Sequence, residues 1–155
     1  MPTLIPLPSP PAAPTPETLA YSLTLPAALS SPGLARTASR TFLEAHALHD
    51  LTDPALLALT ELAACACKFT AAPRIYVSLR YRDASLRITL YDDDPVPSSP
   101  PLARARASRR RASLHLLNCV IRTCRGTWGI TEAEDPTPGT RMWASLPHTA
   151  AYATA

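Results

Sequence analysis

Apolar and polar residues alternate from Leu19 to Leu25, LAYSLTL, a period of two that predicts a strand. The period then lengthens. Ser31-Pro32 reads as a helix start with proline in the first turn, and the helix runs to about Leu48. Its expected buried stripe is Leu34, Ala38, Phe42 (or Thr41) and Ala45. Arg36, Arg40 and Glu44 share another face, with the last two at pairing distance. Asp53-Pro54 repeats the start signal for a helix to about Phe69, which offers Leu56, Leu59, Ala63, Ala66 and Cys67 to a core. Arg74 to Arg82 alternates again, with Ile75, Val77, Leu79 and Tyr81 on one face. A tight turn at Asp83-Ala84 leads into Ser85 to Tyr91, with Leu86, Ile88 and Leu90 inward, so a hairpin is expected.

The texture changes at Asp92-Asp93-Asp94. The following stretch is rich in proline and arginine and lacks a core-forming pattern, so 95–112 is expected to be a long lid-like loop. From about Ser113 a helix begins, with Leu114, Leu117, Val120 (or Ile121) and Cys124 inward, and Gly126 stands at its C-cap. Thr127 to Glu132 and Thr140 to Leu146 read as strands around a turn at Glu134 to Gly139. Phe42, Leu62, Trp128 and Trp143 are expected to be mainly buried beside the strand and helix stripes. Runs of antiparallel strands with helices on one face give an α+β fold, a two-layer sandwich on a mixed, mostly antiparallel sheet. The domain spans 18–148, between a proline-rich disordered tail at 1–17 and a second tail at 149–155.

Composition sharpens the picture. Among 155 residues there are 18 prolines and only four glycines, Gly33, Gly126, Gly129 and Gly139. Backbone loops that wrap phosphate need more glycine than that. The net charge of +3 selects no partner. Cys65, Cys67, Cys119 and Cys124 lack the usual zinc spacing and read as small packing residues, and the thiols are expected to be reduced in a cytoplasmic protein. No apolar run reaches the ~20 residues that span a bilayer, so no membrane partner is expected. In Thr60 to Thr70, TELAACACKFT, helical spacing stacks Glu61, Cys65 and Lys68 on one side. His46, His49, His115 and His148 share no pattern and read as structural or surface residues.

Five stretches, in order, resemble the ATP-binding domain of the GHKL superfamily, the group with histidine-kinase ATP domains and gyrase. They are LTLPAALSSPGLARTASRTFLEAHAL, LALTELAACACKFT, LRITLYDDD, SLHLLNCVIRTCRGTWGI and GTRMWASLP. The likeness is strongest to single-domain anti-sigma-factor serine kinases of actinomycetes and covers about Leu19 to Pro147. It implies a Bergerat-type ATP-binding fold and a serine/threonine protein kinase-like chemistry. Glu61 matches the general base. Cys65 stands where the family has a Mg²⁺-coordinating asparagine, and a thiol is a poor ligand for so hard a cation. Asp92 matches the aspartate that reads the adenine amino group, and Thr140 the threonine that supports it. Arg111-Ala112-Ser113-Leu114 replaces the family's G-R-G-L turn, so the backbone phosphate cradle has lost its glycines, and Arg111 and Ser113 stand in their place.

The resemblance thus implies a degenerate member: a regulator that binds a protein partner, such as a sigma factor or an anti-anti-sigma-like protein, with ATP binding weak or lost and Mg²⁺ ligation lost. A homodimer is compatible with it. An active ATP-dependent serine kinase is the first alternative. The second is a nucleic-acid-associated protein using RARASRRRAS; that run has the charge but no aromatics for base stacking, and a solvated lid is favoured over it.

Overall fold

The computed structural model describes residues 1–133 and 138–149. Met1 to Pro14 carries no helix or strand and is exposed, and a 3₁₀ turn at Pro16–Thr18 leads into the domain. The elements follow as β1 (Ala20–Pro26), α1 (Ser31–Ala45), α2 (Thr52–Phe69), β2 (Arg74–Arg82), β3 (Ser85–Asp92), α3 (Pro100–Ser113), α4 (His115–Thr123), β4 (Thr127–Ala133) and β5 (Gly139–Pro147). The strands form one sheet in the order β1-β2-β3-β5-β4, antiparallel at all four pairings. Among the described residues four α-helices accompany it, and the α+β two-layer sandwich expected from the sequence is the fold, with a sheet antiparallel throughout rather than mixed. Most of the expected turn at Glu134 to Gly139, and all of the second tail beyond Thr149, lie outside the described residues. Among the described residues no helix is long and apolar enough to cross a membrane.

The core lies between α2 and the sheet. Leu56, Leu59, Leu62, Ala63 and Ala66 of α2 meet Ile75, Val77 and Leu79 of β2, Ile88 and Leu90 of β3, and Met142, Ala144 and Leu146 of β5, all buried. Strand alternation places these residues on one face because successive side chains point to opposite sides. The β2–β3 turn is tight, with Asp83 and Ala84 both at positive φ, 52° and 55°, as a two-residue hairpin demands.

Several expectations are corrected. The buried stripe of α1 is Ser31, Ala35, Ser39 and Leu43, one position on from the expected one, and Leu34 is 54% exposed. Small residues on that stripe let α1 approach α2 closely, so volume rather than hydrophobicity chose the face. Phe42 is only half-buried and turns to β1, where its ring stacks on Tyr21 at 3.8 Å between centroids. Arg40 and Glu44 form no ion pair among the described residues. Cys67, Tyr81, Val120 and Cys124 are also half-buried, and Ile121 takes the inward place on α4.

The larger correction is at 95–112. From Pro100 onward this is helix α3, not loop. Pro100 and Pro101 sit in the first turn, where no backbone N–H is needed, and the alanine and arginine that follow are strong helix formers. Gly126 also differs from expectation. The left-handed residue ending α4 is Arg125, φ 57°, while a Cβ at Gly126 would collide with the carbonyl of Ser145. Trp128 is half-buried against the core, its Nε1 donating to Asn118 Oδ1 at 3.0 Å. Trp143 is half-buried on the opposite, helix-free face of the sheet.

Candidate functional site

Asp92 ends β3 with its side chain on the helix side, 1% exposed. The register sets it opposite Thr140, the second residue of β5 and equally buried. α3 runs across this corner. Arg106 and Arg110, four residues apart, fall on one helical face and reach back to the acids that follow β3. The Arg110 guanidinium is wholly buried, and its Nη2 donates to Asp92 Oδ2 at 3.3 Å. Its Nη1 lies 3.8 Å from Met142 Sδ. Arg106 Nη2 stands 3.1 Å from Asp94 Oδ2 and 3.9 Å from Asp92 Oδ1, close enough for ion pairing but not aligned for a hydrogen bond. Asp94 in turn accepts from the Ala71 backbone N–H at 2.8 Å, tying the end of α2 to the same corner. Asp92 Oδ1 accepts from the Asp94 backbone N–H at 3.2 Å.

Cys65 enters from α2. Ser113 Oγ lies 3.2 Å from its sulfur and also donates to the Arg110 carbonyl at 2.8 Å. The Cys65 thiol is 3.8 Å from that carbonyl. Burial pushes this thiol above its ordinary pKa, against the smaller opposing effects of the Ser113 hydrogen bond and Arg110. It is thus held as a neutral packing group rather than as a thiolate.

Of the six residues singled out by the sequence, the fold gathers four, Cys65, Asp92, Ser113 and Thr140, around Arg110. The other two stand apart. Glu61 is half-buried on α2 and makes no hydrogen bond or ion pair among the described residues. Arg111 is exposed and places its guanidinium 5.8 Å from the Trp128 ring centroid. No family model matches the chain, and a comparison with curated proteins returns no match. The description of the site therefore rests on its geometry. Three buried polar atoms in it lack a hydrogen-bond partner, Arg106 Nη2, Arg110 Nε and Thr140 Oγ1. Among the described residues, no three His, Cys, Asp or Glu side chains cluster closely enough to hold a metal ion.

Sequence reasoning takes Arg106 and Arg110 as side chains that could hold phosphate; their pairing with Asp92 and Asp94 is what it missed. The signal was present in the match between two arginines four apart and two aspartates two apart, but it becomes legible only once 100–113 is read as a helix. A second polar chain was also missed. His148 Nε2 lies 2.7 Å from Asp50 Oδ2, and its Nδ1 lies 2.8 Å from the Tyr81 hydroxyl. Burial, with help from Glu17 and Asp50, pushes the Tyr81 phenol above its ordinary pKa. His46, buried between Tyr21 and the Thr15 carbonyl at 2.8 Å from each, does the same work at the first strand. Both histidines tie segments distant in sequence to the strands.

Proposed function

We propose that this chain is a regulator resembling the anti-sigma-factor serine kinases, that it acts by binding a protein partner, and that its ATP binding is weak or lost. One observation carries the reading. The buried Arg110 guanidinium occupies the Asp92 carboxylate, the group that the resemblance assigns to the adenine amino group. A carboxylate already held by a buried arginine has to give up a charge-assisted hydrogen bond before it can accept one from a neutral amine, and the exchange is unfavourable. Cys65 supports the same reading, since its neutral thiol meets Ser113 and offers no hard oxygen to Mg²⁺. The residues present do not fit a Mg·ATP complex, and no transfer step is derived through one.

The partner is of the class the resemblance implies, a sigma factor or an anti-anti-sigma-like protein. Its docking surface is α1, where Arg36 and Arg40 are exposed beside Leu34 and where Leu29, just before the helix, is 99% exposed. Apolar residues ringed by arginine suit a protein interface.

Calorimetry with Mg·ATP tests the nucleotide half. The expected result is no saturable heat at micromolar nucleotide, and no gain in kinase activity from Cys65→Asn. Micromolar, Mg²⁺-dependent affinity together with Glu61-dependent transfer to serine would establish the active kinase instead. For the partner half, Arg36→Glu with Arg40→Glu should weaken a purified sigma-class partner without lowering the melting temperature.

A further inference from the structure

Among the described residues the sheet's second face carries no helix, and its composition is unlike that of an ordinary solvated surface. Alternation and register place Arg74, Tyr76, Ser78, Arg80 and Arg82 of β2 on it, with Arg87, Thr89 and Tyr91 of β3 and Arg141 and Trp143 of β5. Five of these residues are arginines, and no strand residue on this face is an aspartate or glutamate. None of the five has a carboxylate partner among the described residues, and of them Arg80 is already engaged, donating to the Tyr21 and Leu79 carbonyls and to Ser22 Oγ. Three are aromatic, in adjoining rows across the centre. The Tyr76 and Tyr91 rings lie 5.7 Å apart between centroids. The Arg141 guanidinium stands 5.9 Å from the Tyr91 ring, and Arg87 lies 4.5 Å over Trp143. A groove of about 560 Å³ runs between them, lined by Thr24, Tyr76, Ser78, Thr89, Tyr91 and Arg141 among others.

The indole of Trp143 is held flat. Its pairing partner on β4 is Gly129, and a Cβ there would stand 2.9 Å from Trp143 Cζ2. The absent side chain lets the ring lie across the neighbouring strand, leaving its outer side to Arg87. Guanidinium planes and aromatic rings are the two kinds of surface on which unpaired bases stack, and free arginines are what holds the phosphates between them.

We propose that this open face is a binding platform for single-stranded nucleic acid, with bases stacking on Tyr76, Tyr91 and the Arg87–Trp143 pair and phosphates held by Arg74, Arg82 and Arg141. A second copy of the chain is a poor occupant, because two faces bearing five unpaired arginines each would repel. The proposal goes beyond the regulatory reading and does not depend on the outcome with Mg·ATP. It also answers the objection to the α3 run, which has charge without aromatics, since this face has both.

Fluorescence anisotropy of labelled twelve-residue oligo-dT, oligo-U and the matching duplex against the full chain is the test. Either or both single strands should bind with Kd of roughly 1–100 μM at physiological salt, the usual range of non-specific contact, and more tightly at low salt. The affinity should fall with salt at a log–log slope of about −2, as expected for some three phosphates. Trp143→Ala and Tyr91→Ala should each weaken binding roughly 5- to 100-fold, and Trp143→Phe should largely retain it. The oligonucleotide should also quench intrinsic fluorescence in the native chain but not in Trp143→Phe, a readout that needs no loss of affinity. Arg104→Glu, Arg109→Glu and Arg111→Glu, made together on the exposed side of α3, should cost less than either alanine variant. Four results would overturn the proposal: no binding at low salt, equal affinity for the duplex, loss of binding only with the α3 variant, or a concentration-dependent dimer that shields Trp143 and excludes the strand.

Discussion

Ile88 and Thr89 are neighbours on β3, yet they belong to different environments. Ile88 points into the helix layer with Leu90 and Asp92, while Thr89 points outward with Arg87 and Tyr91. Arginine occurs on both sides. Arg110, on the covered side, is wholly buried and tied to Asp92, whereas Arg87, on the open side, has only a tryptophan ring beneath it. The same side chain is therefore a structural bolt in one place and an available charge in the other. The difference comes from what lies opposite: a carboxylate that cannot remain buried alone, or solvent.

Removing Arg110 should produce the largest effect. Arg110→Ala leaves the buried Asp92 with only the more distant Arg106, 3.9 Å away, and should destabilise the fold by about 3–5 kcal/mol in chemical denaturation, while Arg87→Ala stays within about 1 kcal/mol. Equal losses at the two positions would erase the distinction between the faces. Replacing both members of the covered pair, Arg110→Met with Asp92→Leu, should recover much of the loss, since the cost comes from the unpaired charge.

The neighbours on β3 give a somewhat smaller contrast. Ile88→Ala should cost about 2–5 kcal/mol through a cavity in the core, and Thr89→Ala no more than about 0.5 kcal/mol. If the two were comparable, a partner would be covering the open face during the measurement.

The alkaline side of the stability profile should show the smallest effect. Burial raises the Cys65 and Cys67 thiols above 9.0 in the folded chain. Their stabilising contribution is complete below that value and is lost as pH rises through the folded pKa, because the unfolded thiols ionise first. The melting temperature should therefore fall above pH 9.0, and Cys65→Ala should shrink the fall. A profile unchanged by the substitution would show that α3 does not seal this thiol from water.

Much of the fold was legible because strand and helix periods are properties of the chain itself. Ile75, Val77, Leu86 and Ile88 alternate whatever surrounds them, and β2 occupies the span its pattern marks. What could not be read depends on neighbours distant in sequence. The face of α1 was misplaced by one residue because Ala35 and Ser39 are chosen for close packing with α2, which no local pattern records. Trp143 was expected inside because tryptophan is large and apolar, but its parity along β5 puts it with Arg141 rather than with Met142. At the site, Asp92 and Thr140 were found in the sequence and do sit together. The pairing of Arg110 with Asp92 was not found, because it depends on a helix hidden under prolines that turned out to occupy only the first turn.

The Asp50–His148–Tyr81 chain bears on the order in which the molecule assembles. Asp50 and His148 are separated by 98 residues, and His46 likewise holds Thr15 from 31 residues away. Contacts of such separation are entropically costly to close before the intervening chain is ordered. The corner between α1 and α2 should therefore be completed late, after the β2–β3 hairpin has formed locally. By the same reasoning it is the region where the native chain opens first, and amide hydrogen exchange near His148 should report openings of lower free energy than global unfolding.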